Sequence, residues 1–286
     1  MPLVSVLLAV RNDARYLPEA LNSVLQQTVD DLELIVVDDA STDETPRILS
    51  ATDDRRTVVL RNEEQLGLAA SLNRGLDAAQ GRYVARLDAD DVTLPNRLER
   101  QLAGIGNAAV LGSAIRDLDE QGREGRLHRM PLGARAVRWH ALFSSPFFHP
   151  TVLVDREALR DLRYDTSYLE SEDYDLWTRL LATGVEGANL EDALVLKRVH
   201  AGQASLRRRD LQQSFQRQVA LCEIARVAPG LAPEEAEAAW AVGSRVAARR
   251  RGVRPFLALL RAFEGRHGVD LDVRKSAAKA VVRACV

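Results

Sequence analysis

The chain of 286 residues has only two cysteines, Cys222 and Cys285, far apart in sequence. That excludes a disulfide framework and a cysteine-based metal knuckle. No run reaches the roughly 18 consecutive apolar residues of a membrane-spanning helix. The N-terminus lacks a basic segment leading into a hydrophobic one, so the sequence predicts a cytoplasmic protein. The turn after the first apolar run reads AVRNDARYL. It contains neither G-x-G-x-x-G nor G-x-x-x-x-G-K, which counts against a dinucleotide dehydrogenase and a P-loop kinase. A basic face is missing from residues 1–206, which carry 33 acidic against 23 basic residues. Nucleic acid is therefore not expected as the main ligand. Hydrophobic and charged fractions of 46% and 28% are those of a globular chain, neither collagen-like nor wholly disordered.

What is present is a regular alternation. Leu3–Val10 (LVSVLLAV) and Leu32–Val37 (LELIVV) read as buried parallel strands. Between them Leu17, Leu21, Val24 and Leu25 recur at helical spacing, with Asn12 and Asp13 placed to cap the helix. The pattern repeats with a helix through Leu49 capped by Ser41 or Thr42, a strand at Thr57–Leu60, a helix at Leu66–Ala79 and a strand at Tyr83–Leu87. This predicts an α/β fold with a mostly parallel sheet and helices on both faces. Ligands in such sheets bind beyond the carboxyl ends of the strands.

From Pro95 the pattern is mixed. It comprises a helix to Ala103, a strand at Ala108–Ile115, an acidic turn-rich stretch and a short segment through Trp139–Phe143. A strand at Thr151–Val154, a helix at Glu172–Ala182 and a β-like stretch at Ala193–Val199 follow. From Leu206 onward the chain is almost entirely helix-forming, and from Arg207 it holds 16 basic against 8 acidic residues. The shift divides the chain into an α/β domain of residues 1–205 and a helical C-terminal extension of 206–286, expected to pack on it.

Asp88-Ala89-Asp90-Asp91 ends a predicted strand, and three crowded carboxylates are costly unless a cation compensates. Mg²⁺ and Mn²⁺, hard cations that prefer oxygen ligands, are the economical answer. An acidic surface turn is the competing reading. Asp38 and Asp39 end the second strand in VVDDAS, where an acid often meets a nucleotide; capping the next helix is the alternative.

SVLLAVRNDARYLPEALNSVLQQTVDDLELIVVDDASTDET, RNEEQLGLAASLNRGLDAAQGRYVARLDADD, HPTVLVDREAL and SEDYDLWTRL occur in that order. Together they resemble glycosyltransferase family 2 over roughly residues 3–205. The resemblance implies a GT-A-like, Rossmann-type mixed sheet and transfer of a sugar from a nucleotide-diphosphate donor, most often a UDP-sugar, with inversion. It implies that Ala9, Arg11, Asn12, Asp39, Arg61 and Asn62 lie against the nucleotide. Asp88 would stand near the ribose or metal, Asp90 would be the main metal ligand, and Arg86 would approach the donor from below. It also implies Asp173 as general base, Glu172 and His149 on the acceptor side, and His200 completing the metal or diphosphate site. Arg198, Arg207 and Arg208 are candidates for the diphosphate.

Single-displacement inversion needs a base opposite the leaving group, and a helix N-terminus is expected to depress the pKa of Asp173. No Q-x-x-R-W follows Asp173, which counts against a processive synthase. A saccharide or lipid-linked acceptor in envelope, capsule or exopolysaccharide assembly is expected. In the tail, Arg249, Arg250, Arg251, Arg254 and Arg261 surround Phe256, Leu257, Leu259 and Leu260. That face suits peripheral contact with an anionic membrane, a homodimer or the chain's own α/β domain. A nucleotidyltransferase releasing pyrophosphate and a non-catalytic sugar-nucleotide-binding scaffold remain alternatives.

Overall fold

The strand β1 (Val4–Val10) is buried at every position but the half-buried Ala9, as its largely apolar run requires when helices cover both faces. Parallel partners flank it: β2 (Leu32–Asp38) on one side and β4 (Tyr83–Arg86) on the other, with β3 (Thr57–Arg61) beyond β2. The first helices are α1 (Leu17–Leu25), α2 (Thr45–Ser50) and α3 (Leu68–Ala78). The computed structural model describes residues 1–200, 209–244, 246 and 250–285, so Arg207, Arg208 and Arg249 lie outside the described residues.

The remaining strands are β5 (Val92–Thr93), β6 (Ala108–Leu118), β7 (Glu124–His128), β8 (Leu153–Asp155) and β9 (Glu186–Arg198). They complete a nine-stranded sheet of order β3-β2-β1-β4-β8-β6-β9-β5, with β7 paired to β6. β8 runs antiparallel to β4 and β6, while β6 and β9 are parallel. The sheet is therefore mixed and mostly parallel around β1, and helices α4 (Arg97–Gly104), α5 (Ala134–His140) and α6 (Glu172–Ala182) flank it.

Two capping expectations are corrected. α1 begins behind Tyr16 and α2 behind Glu44, neither with a side-chain cap, and each has a proline in its first turn. Proline presets the helical φ and has no N–H to satisfy. Asn12, Ser41 and Thr42 serve the turns themselves. The Asn12 N–H donates to Ser41 Oγ at 2.9 Å, and Asn12 Oδ1 accepts from the Thr42 N–H at 2.8 Å.

Four helices follow: α7 (Arg209–Val227), α8 (Pro233–Ser244), α9 (Val253–His267) and α10 (Leu271–Cys285). One apolar cluster unites Trp139, Phe143 and Tyr174 with Ile224, Trp240, Phe256 and Phe263. Trp139 meets Phe256 and Phe263 edge-to-face at 5.6 and 5.2 Å, the arrangement aromatic quadrupoles favour. The stripe considered for membrane contact or dimerisation is largely inside this cluster. Phe256 and Leu259 are buried, and only Leu257 of the four apolar residues is exposed. No helix among the described residues is long and apolar enough to cross a membrane.

Candidate active site

The strand ends and the start of α6 enclose a cleft of about 720 Å³. One wall is the turn after β1, where Ala9, Arg11, Asn12 and Asp13 line the space. Asn12 adopts a left-handed conformation, φ 54°, which asparagine tolerates better than most residues. The bonds to Ser41 and Thr42 hold it there.

The floor is the turn after β4. Carboxylate oxygens of Asp88, Asp90 and Asp91 lie within 4.8 Å of one another. Burial works against ionisation of Asp88, yet the paired Arg86 guanidinium holds its carboxyl below the usual range. Asp90 and Asp91 move the opposite way, raised first by burial and then by the Asp88 charge. Asp13 is pushed up to about 6 by burial and by Asp90. Asp91 Oδ1 accepts from the Arg198 N–H at 2.9 Å, and its buried Oδ2 has no partner among the described residues. Asp90 Oδ2 lies 3.1 Å from His200 Nε2. Mutual repulsion, hard oxygen donors and an orphaned carboxylate oxygen together fit a divalent cation such as Mg²⁺ or Mn²⁺.

Arg86 is 3% exposed. Its Nε and Nη1 are buried with no hydrogen-bond partner among the described residues. Such donors are costly unless a ligand completes them, and a guanidinium suits phosphate oxygens.

The opposite wall is the start of α6. Ser171 is left-handed, φ 65°, and Glu172 and Asp173 open the helix into the cleft. The expected depression of Asp173 is overturned. Burial outweighs the helix terminus and raises its pKa above the ordinary 3.8, against the Tyr174 N–H, Arg86 and Ser145. Ser145 Oγ donates to Asp173 Oδ2 at 3.3 Å. Burial, then Asp173, pushes Glu172 up to about 8. His149 Nε2 lies 2.8 Å from the Tyr164 hydroxyl, and burial followed by the Arg86 charge drives its pKa well below 6.5. It is neutral.

The Glu172 shift carries a stability prediction. The folded state keeps the proton up to about pH 8, whereas the unfolded chain releases it near 4.5. The stabilising contribution is thus complete below pH 4.5 and is lost as pH rises through 8. Glu172→Gln is expected to melt higher than wild type at alkaline pH, by roughly 1–3 kcal/mol, and close to wild type near pH 5. Thermal melts differing by a constant amount across pH would contradict this.

Against this geometry stand the relatives. The profile for glycosyl transferase family 2 matches residues 5–163, more than half of the chain. The chain belongs to glycosyl transferase family 2. Membership makes it an enzyme, a glycosyltransferase, and sets aside the nucleotidyltransferase and scaffold alternatives. It is 30% identical over 210 residues to the UDP-Glc:alpha-D-GlcNAc-diphosphoundecaprenol beta-1,3-glucosyltransferase WfaP of Escherichia coli, covering 72% of this chain and 80% of that one. Its fold matches residues 1–349 of S. aureus TarS in complex with UDP-GlcNAc, with a TM-score of 0.64 and 19% identity. That match covers 99% of this chain and 89% of that fragment. A mannosyltransferase from Pyrobaculum calidifontis in complex with GDP-Man and Mn²⁺ matches with a TM-score of 0.61 and 20% identity, covering 99% and 80%. These neighbours have the GT-A fold, and so does this glycosyltransferase.

Of the residues singled out from sequence, the glycosyltransferase cleft gathers Ala9, Arg11, Asn12, Arg86, Asp88, Asp90, His149, Glu172, Asp173 and His200. Asp39, Arg61 and Asn62 do not line it. They form a neighbouring cluster in which Asp39 accepts from Asn62 Nδ2 at 2.7 Å and from the N–H groups of Leu66 and Gly67 at 2.8 and 2.9 Å. Arg61 Nε lies 3.6 Å from Asp38 Oδ2. Arg198 is buried, ion-paired with Glu19, stacked 4.5 Å over the Tyr16 ring and bonded to the Asp90 carbonyl. Its place is under the acidic turn. Sequence reasoning missed Asp13 and Lys197, which also line the cleft. Asp13 was legible only as a helix cap, although it stands at a strand's carboxyl end, and Lys197 lies inside a strand.

Proposed function

We propose that this glycosyltransferase carries out inverting, metal-dependent transfer from a UDP-sugar to a hydroxyl of a saccharide or lipid-linked acceptor. One observation supports this reading above the others. The acidic turn with the open Arg86 donors and the buried base candidate Asp173 line one cleft. The donor diphosphate belongs beside Arg86 and Asp88–Asp91, with Ala9, Arg11 and Asn12 along the nucleotide. Asp39, Arg61 and Asn62 shape the adjoining base-binding end.

A divalent cation held by Asp88 and Asp90, with His200 beside it, would neutralise charge on the leaving diphosphate. Arg86 donates to that diphosphate through the N–H groups it leaves open. Asp173 takes the proton of the acceptor hydroxyl as the hydroxyl oxygen bonds to the sugar's anomeric carbon. The bond from that carbon to the diphosphate oxygen breaks on the opposite face, and the nucleoside diphosphate departs with the electron pair. A carboxylate whose pKa burial has raised is a stronger proton acceptor than an ordinary aspartate. Glu172, protonated up to about pH 8, donates a hydrogen bond to the acceptor, and neutral His149 borders the same side.

Uracil is the proposed base because WfaP is named for UDP-Glc and TarS is bound to UDP-GlcNAc. WfaP's printed acceptor, a GlcNAc-diphosphoundecaprenol, supports a lipid-linked acceptor and a role in polysaccharide assembly, at most peripheral to the inner membrane face. A thermal-shift titration against nucleotide-diphosphate sugars and nucleoside triphosphates, with and without Mn²⁺, tests the donor. A ligand bound only by the folded state raises Tm. A Mn²⁺-dependent rise with one sugar nucleotide is expected; a rise with triphosphates alone would contradict the reading.

A further inference from the structure

The C-terminal extension reaches the cleft along one helix. Among the described residues from 209 onward, Gln212 and Gln216 of α7 are the two that line it. They stand one helical turn apart, so a single face of α7 carries both side chains. Each is half-buried, and neither side-chain amide has a hydrogen-bond partner among the described residues. Polar groups drawn this far from water are costly unless something completes them.

The packing that sets these amides also sets the base. Ser171 Oγ donates to the Gln212 carbonyl at 3.4 Å, just ahead of Glu172 and Asp173. The Phe215 ring lies 5.4 Å from that of Tyr168. Further along α7, Val219, Ala220 and Ile224 join Tyr174, the residue after Asp173, in the apolar cluster that unites the extension with the α/β domain. Gln212 and Gln216 are therefore held at the start of α6, where an acceptor hydroxyl must come to meet Asp173.

Their chemistry suits that place. A lysine or arginine here would pair with Glu172 and Asp173 and lower the proton affinity that burial has raised. A carboxamide is neutral and leaves it intact. It also both donates and accepts, as a sugar hydroxyl does. Two amides on successive turns match hydroxyls spread over one pyranose ring and offer little to an acyl chain. A phosphate would call for cationic donors, and α7 places no Lys or Arg in the lining.

We propose that Gln212 and Gln216 read the hydroxyls of the acceptor's sugar unit while its attacking hydroxyl lies at Asp173. They determine specificity and transfer no proton. The inference rests on the transfer reading above and adds that the acceptor is recognised through its saccharide, by a helix outside the residues 5–163 that match the family.

The test is direct binding to the full chain in the presence of UDP and Mn²⁺. The probes are the α-GlcNAc diphosphate of farnesol and the matched farnesyl diphosphate with a methyl group in place of the sugar. Wild type is expected to bind the sugar probe at least about tenfold more tightly than its methyl counterpart. Gln212→Ala and Gln216→Ala should each narrow that preference by about threefold or more, and the double variant should remove most of it. Alanine is the best helix former, so Tm should not fall, and affinity for UDP-sugar with Mn²⁺ should stay at the wild-type value. An equal preference in wild type and double variant, or none in wild type, would overturn the proposal. So would a parallel loss of UDP-sugar affinity, which would assign the amides to the donor. Wild-type UDP release from UDP-sugar on adding the sugar probe is read separately. Its absence alongside an amide-dependent preference would count against the transfer reading and leave the sugar contact standing.

Discussion

Asp173→Asn is expected to lower glycosyl transfer by roughly 10²–10⁴-fold, the usual contribution of a positioned base, while donor affinity stays near wild type. The substitution keeps the shape of the side chain and lets Ser145 donate to the remaining carbonyl oxygen. What it removes is the only property the mechanism needs from this residue, a carboxylate able to accept a proton. Burial has lifted the pKa of Asp173, so the wild-type rate should fall as pH drops through a value above the ordinary 3.8. The variant should lose that acidic limb. Initial rates across pH together with donor titrations separate the cases. Retained turnover, or loss of donor binding, would remove Asp173 from the role of base.

Asp90→Ala is expected to act at the acidic turn. On the proposed mechanism, removing one of the carboxylates within 4.8 Å takes away a cation ligand and leaves Arg86 alone to meet the donor diphosphate. A cation contributes several kcal/mol at such a site, so Mn²⁺-dependent donor affinity should fall by about 100-fold or more. Metal-independent donor binding should change little. The same deletion relieves repulsion at Asp91, which Asp90 helps to raise, so the folded protein should not be less stable. Isothermal titration of UDP-sugar with and without Mn²⁺ decides it, and unchanged affinity would contradict the ligand assignment.

The sequence made the front of the sheet legible because β1, β2 and β4 are largely buried on both faces and read as predominantly apolar runs. α6 was legible to its ends, because its apolar stripe and acidic first turn point to the same boundaries. β7 escaped notice: EGRLH is exposed over its first three residues and shows no alternation. β5 has only two residues, too few for any period to show. β9 begins at Glu186 with a largely polar half, so only its apolar end read as strand. Part of the site was equally open to reading. The acids at strand ends could be placed because doubly wound sheets put ligands at those ends, and Asp173 only through the resemblance to glycosyltransferase family 2. The direction of the Asp173 shift could not, because it depends on how deeply α6 is packed. Nor could the internal bonding of Asp39, which depends on where the backbone of Leu66 and Gly67 returns.

The most direct test of metal-dependent inverting transfer is NMR analysis of the products formed from a UDP-sugar and a lipid-linked saccharide acceptor, with and without Mn²⁺. The account predicts UDP, no pyrophosphate, and a new linkage of anomeric configuration opposite to the donor's, formed only when the cation is present. A product that keeps the donor's configuration, or equal yield without the cation, would contradict it.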